Sequence, residues 1–177
     1  SKRKIDARQI DNQSTLCFPI VSIPGVTSGS LVELYRQIFR FDLPNSTILT
    51  PYFNIPQDIL CECAKPLTFI TPSAETHCYR KLPGYSSTVS QIYSAIVHSF
   101  SRSNPTHRLL SFAHEHETFH AKGLISTSDG TTVTTSGSCN INYRSMYVDN
   151  EFDILLVSRD PKFYEQQNLV LQWLFNA

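Results

Sequence analysis

The chain has 177 residues, of which 41% are hydrophobic and 17% charged, the balance of an ordinary globular domain with a buried core. Its 15 Lys and Arg residues are matched by 15 Asp and Glu residues, so the formal net charge is zero. This balance argues against a general nucleic-acid binder, which usually carries a basic excess. No apolar run approaches the roughly 20 residues that span a bilayer. Because the sequence begins with Ser1 and not Met, we expect it to be a processed or truncated piece.

Strands and helices alternate in the first half of the chain. Residues 1–13 are polar and predict a frayed or disordered lead-in, followed by a single domain over residues 14–177. A β-rich segment broken by Pro19 comes first, and a helix over "SLVELYRQIFRF" follows with Ser30 as its N-cap. Short strands at "STILTPYF" and "PLTFITP" then flank a short helix that opens at Pro56.

The middle of the chain holds an aperiodic stretch and the clearest helix. The stretch "AETHCYRKLPGYSS" is long for a connection, so we predict a functional loop in which Arg80 and Lys81 either bind a second phosphate or are simply solvated. The helix follows at "STVSQIYSAIVHSFSRS", where apolar residues recur at helical spacing.

Strands cluster in the second half. They are predicted at "HRLLSFA", "TFHAKGLIST", "TTVTTSG" and "EFDILLV", with a hairpin at "SDGT". Asp160 and Pro161 predict the N-cap and first position of a last helix. Its inward side chains are predicted to be Phe163, Val170, Leu171 and Leu174. The whole pattern predicts an α/β fold, a mixed β-sheet flanked by helices.

Cysteine and histidine spacing gives no metal site. The five cysteines are odd in number and irregular in spacing, so a disulfide framework is not expected. Cys61 and Cys63 form a Cys-x-Cys pair without a second pair at zinc-ligand spacing. His114 and His116 in "HEHE" likewise lack a third ligand at the usual spacing. The sequence therefore predicts no bound metal and no cofactor.

A pair of polar residues, His120 and Lys122, stands out in the strand predicted at "TFHAKGLIST". Residues two apart on a strand direct their side chains to the same face of the sheet. That face is normally apolar when it is buried, and two polar groups there need partners because unpaired burial costs roughly 2–7 kcal/mol. The pair therefore indicates a functional site.

Partners follow the next predicted strand. Gly137 lets the backbone approach a ligand closely, and Ser138 and Asn140 carry donors for an anionic oxygen. Glu151 begins the strand after that and is placed to accept the second ring N–H of His120, which would fix the tautomer of the ring.

This set of residues indicates a phosphate site with an imidazole directed at phosphorus. The histidine can attack as a nucleophile or protonate a leaving oxygen. The lysine ammonium and the amide donors stabilise the charge that develops on the phosphoryl oxygens. Since no carboxylate cluster suggests a catalytic metal, the sequence predicts metal-free phosphodiester transfer.

The segments "HAKG" and "GSCN", with Glu151 downstream, resemble the HxK…GSxN motif of the phospholipase D superfamily. The usual Asp of that motif is replaced by Thr127. The segments "TFHAKGL", "GSCNINYRS" and "DNE", and upstream "TPYFN" and "LTFITPSAE", narrow the resemblance to the eukaryotic-type phosphatidylglycerophosphate synthase family over about residues 46–157. Three positions depart from that family's pattern: Ile125 replaces Trp, Asn142 replaces Gly, and Val148 replaces Arg.

The resemblance implies an enzyme that moves a phosphatidyl group from CDP-diacylglycerol to glycerol 3-phosphate and releases CMP by a phosphohistidine mechanism. It implies peripheral contact with the mitochondrial inner membrane on its matrix side, a role in cardiolipin synthesis, and no nucleic-acid partner. Tyr52 and Asn54 become candidates for lining the substrate pocket. Arg144 caps a helix, pairs with Asp149 or reaches a substrate phosphate.

Members of that family carry two such motifs, whereas this chain has one and so resembles the C-terminal half. A second lobe would come from a missing N-terminal half or from a homodimer. In the two-lobed relatives the first-lobe histidine is usually the nucleophile, which would make His120 the general acid for departing CMP. In a symmetric pair each His120 would serve in either role.

Two other functions fit the sequence. A phospholipase D-type nuclease or phosphodiesterase working as a homodimer can have about this size and one motif, although zero net charge counts against nuclease work. A non-catalytic half that needs a partner chain is the other alternative, and the intact His-Lys-Asn-Glu set counts against it.

Overall fold

The structure, a computed structural model, describes residues 14–26, 30–41, 43, 45–63, 65–78 and 86–177. The predicted lead-in, Arg80, Lys81 and the side chain of Ser30 lie outside the described residues. The strands are β1 (Thr15–Ser22), β2 (Thr47–Leu49), β3 (Thr68–Pro72), β4 (Arg108–Phe112), β5 (Gly123–Ser128), β6 (Thr131–Gly137) and β7 (Glu151–Ser158). The helices are α1 (Ser30–Arg40), α2 (Gln57–Leu60), α3 (Ser86–Ser103), α4 (Tyr143–Tyr147) and α5 (Pro161–Asn176).

One mixed sheet contains these strands in the order β1-β7-β6-β5-β2-β3-β4. β2, β3 and β4 run parallel, because the helices α2 and α3 provide the crossovers that parallel strands require. The other neighbours are antiparallel, and β5 and β6 are joined by a tight hairpin. Asp129 and Gly130 of this hairpin have φ angles of 47° and 73°, which suit a primed turn. The predicted mixed sheet flanked by helices is thus confirmed.

Helices cover both faces of the sheet. The helices α1 and α3 pack on one face and α5 packs on the other. Neighbouring residues of β3 pack on opposite faces of the sheet. Phe69 packs in the core with α1 and α3, Ile70 packs in the core with α5, and both are 0% exposed. Leu171 and Leu174 of α5 are buried as predicted, but Val170 is 44% exposed, so its predicted inward position is wrong. In the described ranges, no helix has the length and apolar character to cross a bilayer.

Pro19 does not break the first strand, so that prediction is wrong. β1 runs without interruption from Thr15 to Ser22 and pairs Pro19 with Ile154 of β7. β1 lies at the edge of the sheet, where one side of the strand needs no partner. A proline is tolerated there because its missing N–H takes no hydrogen bond away from a second neighbour.

Candidate active site

The predicted site residues lie along one side of the sheet, where the ends of four neighbouring strands meet. β2 and β6 end on this side, and β5 and β7 begin there. The register places Gly123 opposite both Leu49 and Ser136, and Gly137 opposite Asp153. The segments that precede β5, follow β2 and β6, and open β7 are therefore neighbours in space.

His120 and Lys122 lie immediately before β5 and not within a strand, which corrects the sequence prediction. Their side chains are nevertheless adjacent. Lys122 Nζ lies 3.1 Å from Nδ1 and 3.3 Å from Nε2 of His120, and it donates to the His120 carbonyl oxygen at 3.1 Å. The strand starts at Gly123, directly after the lysine, with a φ of 141° that favours glycine.

The electrostatics of this pair keep the imidazole neutral. Partial burial, and then the positive charge of Lys122, lower the pKa of His120 below its usual value of 6.5. Partial burial also lowers the pKa of Lys122, against the opposing electrostatic effects of Cys78 and then of Glu151. At pH 7 the histidine is therefore neutral, the protonation state needed to attack phosphorus or to accept a proton.

Tyr52 supports the histidine ring, and two unpredicted residues accompany it. The ring of Tyr52 stands edge-on to His120 with centroids 6.0 Å apart, and it also meets His77 at 5.7 Å. Its hydroxyl lies 3.1 Å from Cys78 Sγ. His77 and Cys78 belong to the aperiodic stretch that the sequence marked as a functional loop, which was the only signal for them.

The turn after β6 is bonded to the start of β7. The Ser138 hydroxyl donates to the Glu151 carboxylate, and the Phe152 N–H donates to Ser138 Oγ at 2.9 Å. Glu151 is 7% exposed and takes this hydrogen bond from Ser138, whereas the sequence predicted that it would take one from His120. The difference arises because Ser138 follows β6 directly and its N–H donates to the Phe152 carbonyl oxygen at 3.0 Å, which holds it beside the start of β7.

Asn140 is held by its backbone and its side chain. The Thr50 hydroxyl donates to the Asn140 carbonyl oxygen, and Asn140 Nδ2 donates to Ser145 Oγ at 3.3 Å. Among the described residues, Asn140 Oδ1 is buried without a hydrogen-bond partner. Thr50 follows Leu49, which pairs with Gly123, so this contact places Asn140 beside the segment of Lys122.

Two further candidates lie on the rim of the site. Arg144 donates through Nε to Asp149 at 3.0 Å, the ion pair that was one of its predicted roles, and its side chain is 78% exposed. Asn54 is exposed, and its carbonyl oxygen accepts the N–H of Tyr143 at 3.2 Å. Asn142, at the family's glycine position, caps α4 by accepting the N–H of Ser145 at 2.9 Å.

No protein-family model and no curated protein matches this sequence. Among solved structures, the phosphatidylserine synthase of Haemophilus influenzae Rd KW20 is similar over 89% of this chain, with a TM-score of 0.70 and 17% identity. This chain spans only 39% of that synthase. NUC, a phospholipase D family member from Salmonella typhimurium, is similar with a TM-score of 0.58 and 17% identity over 92% of this chain and 95% of its own.

NucT from Helicobacter pylori is similar with a TM-score of 0.57 and 11% identity, over 92% of this chain and 97% of its own. Identities this low establish the fold, and they say nothing by themselves about substrate. The chain therefore has a phospholipase D-like fold.

Proposed function

We propose that this chain is a catalytic lobe for phosphodiester transfer that moves a phosphatidyl group from CDP-diacylglycerol to glycerol 3-phosphate. The products are phosphatidylglycerophosphate and CMP. The observation that carries the proposal is the neutral imidazole of His120 in contact with the Lys122 ammonium, at the strand ends where the Gly-Ser-x-Asn turn lies. The choice of substrates rests on the resemblance to phosphatidylglycerophosphate synthases, and so does a location at the matrix side of the mitochondrial inner membrane.

The lysine contact suggests how substrate binding starts the reaction. Lys122 Nζ donates toward the ring and the carbonyl oxygen of His120. A phosphoryl oxygen is a stronger, charged acceptor, so it takes the ammonium hydrogen bond when a phosphodiester binds. The lone pair of His120 is then free to act on phosphorus or on a proton.

In-line displacement needs one group on each side of phosphorus, and this sequence supplies one HxK motif. The second histidine comes from an N-terminal lobe or from a second copy of this chain. The synthase comparison fits a second histidine from an N-terminal lobe, because this chain matches 39% of a longer protein. NUC and NucT favour the alternative, a homodimeric phospholipase D-type nuclease or phosphodiesterase, because this chain matches nearly all of each.

The proposal is tested by incubating the protein with CDP-diacylglycerol in mixed micelles and radiolabelled glycerol 3-phosphate. CMP release that depends on glycerol 3-phosphate, with label entering the lipid, is the expected result. Parallel reactions contain bis(4-nitrophenyl) phosphate or single-stranded DNA. Cleavage of either without turnover of CDP-diacylglycerol would overturn the transferase proposal and establish the alternative, and a sizing column would show whether the active species is a dimer.

A further inference from the structure

We propose that Asp153 is a positioning residue, a buried carboxylate that holds the turn after β6 in the shape the reaction needs. This role rests on the proposed function, since Asp153 contacts the same candidate site. Asp153 is 1% exposed, and no basic side chain pairs with it among the described residues. An ionisable group buried without a counter-charge is costly and calls for an explanation in terms of what it touches.

One oxygen of Asp153 contacts the turn itself. Oδ1 accepts the main-chain N–H of Cys139 at 3.1 Å. The carboxylate also lies so close to Gly137 that a side chain there would overlap Asp153 Oδ1 and the Phe152 carbonyl oxygen. The glycine of the Gly-Ser-x-Asn motif is therefore needed here to admit this carboxylate. The bond to Cys139 fixes the residue between Ser138 and Asn140, the two donors of the candidate site.

The other oxygen leads away through a chain of buried hydroxyls. The Tyr35 hydroxyl donates to Asp153 Oδ2 at 3.4 Å and lies 3.0 Å from Thr135 Oγ1. Thr135 Oγ1 accepts the main-chain N–H of Leu124 at 3.0 Å. If Thr135 donates to Tyr35 and Tyr35 donates to Asp153, every hydrogen in the chain points toward the carboxylate. The chain then links the turn to β5, just after Lys122.

Asp153 also lies two residues after Glu151, on the same face of β7. Both carboxylates thus act on consecutive residues of the turn, since Glu151 receives the Ser138 hydroxyl and Asp153 receives the Cys139 amide. Phe152 between them faces outward and is 48% exposed. This reversal of the usual apolar-in pattern is what a strand shows when its inner face serves a polar site.

The test uses Cys139 as a reporter that needs no substrate. Cys139 is 1% exposed, so its thiol reacts with iodoacetamide only when the turn opens. In Asp153→Leu, which fills the space but accepts no hydrogen bond, alkylation of Cys139 is expected to rise about 10–100-fold, measured by peptide mass mapping under native conditions. In Asp153→Asn, whose Oδ1 still accepts the amide, it stays within about threefold of the wild-type rate.

Cys63 is the internal control, because this half-buried thiol follows α2 and its main-chain N–H bonds to Leu60 and not to the turn after β6. A rise at Cys139 alone supports the proposal, and an equal rise at both thiols, or no rise at either, overturns it. If the leucine variant does not fold, Asp153→Ser is used, since serine is too short to reach the amide.

In the transfer assay, the leucine variant is expected to lower kcat about 10–100-fold with little change in KM, and asparagine to restore most of it. Failure of the assay in the wild type would count against the proposed function, whereas the thiol result would decide the role of Asp153.

Discussion

Replacing His120 with alanine is expected to lower the rate of phosphatidyl transfer about 10³-fold or more, because the imidazole is the group that acts on phosphorus or on its leaving oxygen. The ring lies at the surface, where it meets Lys122 and the edge of Tyr52 and fills no core space. The free energy of unfolding should therefore change by no more than about 0.5 kcal/mol. Initial rates of CMP release and a urea titration measure the two effects.

His116→Ala is the matched control. That histidine lies in the same segment of the chain, and its side chain is 81% exposed, with Glu115 as its ionic neighbour among the described residues, at 3.9 Å. Its removal should leave both activity and stability at wild-type values. Should the His120 variant keep more than about a tenth of the activity, or the His116 variant lose as much as it does, the assignment of His120 is wrong.

Replacing Gly123 with alanine is expected to destabilise the fold by about 2–6 kcal/mol, the sum of roughly 1–3 for backbone strain and 1–3 for overpacking. Its φ of 141° is one that residues with a side chain rarely adopt. A Cβ there would also overlap the Thr135 carbonyl oxygen of the neighbouring strand, which is backbone and cannot swing aside. The strands β5 and β6 would have to separate just beside Lys122.

Gly130→Ala separates the cost of the positive φ from the cost of the steric overlap. Gly130 has a φ of 73°, but a Cβ at this position meets nothing within 4 Å. Only the conformational cost applies there, about 1–2 kcal/mol. Urea unfolding of both variants gives the comparison, and equal losses of stability would show that the contact with Thr135 is relieved without cost.

Local sequence signals predicted the elements whose causes are local. Asp160 and Pro161 predicted the start of α5, and Asp160 Oδ1 does accept the N–H of Lys162 at 2.9 Å. The Asp-Gly pair at 129–130 predicted the hairpin. His120 and Lys122 were predicted to share a face from strand alternation, and their side chains are adjacent, although both residues lie just before β5 and not within it.

Features that depend on distant neighbours were not predicted. Pro19 is compatible with a strand only because β1 lies at the sheet edge, and strand order is not visible in a local pattern. Glu151 bonds to Ser138 because β6 and β7 are neighbours in a particular register. Asp153 was not singled out in "EFDILLV", because the Tyr35 hydroxyl that donates to it in the buried site lies far away in sequence.

His120, Lys122 and Asn140 are expected to surround a single phosphoryl group. A crystal structure of the protein soaked in tungstate, an analogue of phosphate, tests this expectation most directly. The oxyanion is expected within hydrogen-bond distance of a His120 ring nitrogen, Lys122 Nζ and Asn140 Nδ2, with the lysine drawn away from the imidazole. An oxyanion bound elsewhere, or bound without any contact to His120 and Lys122, would contradict the claim.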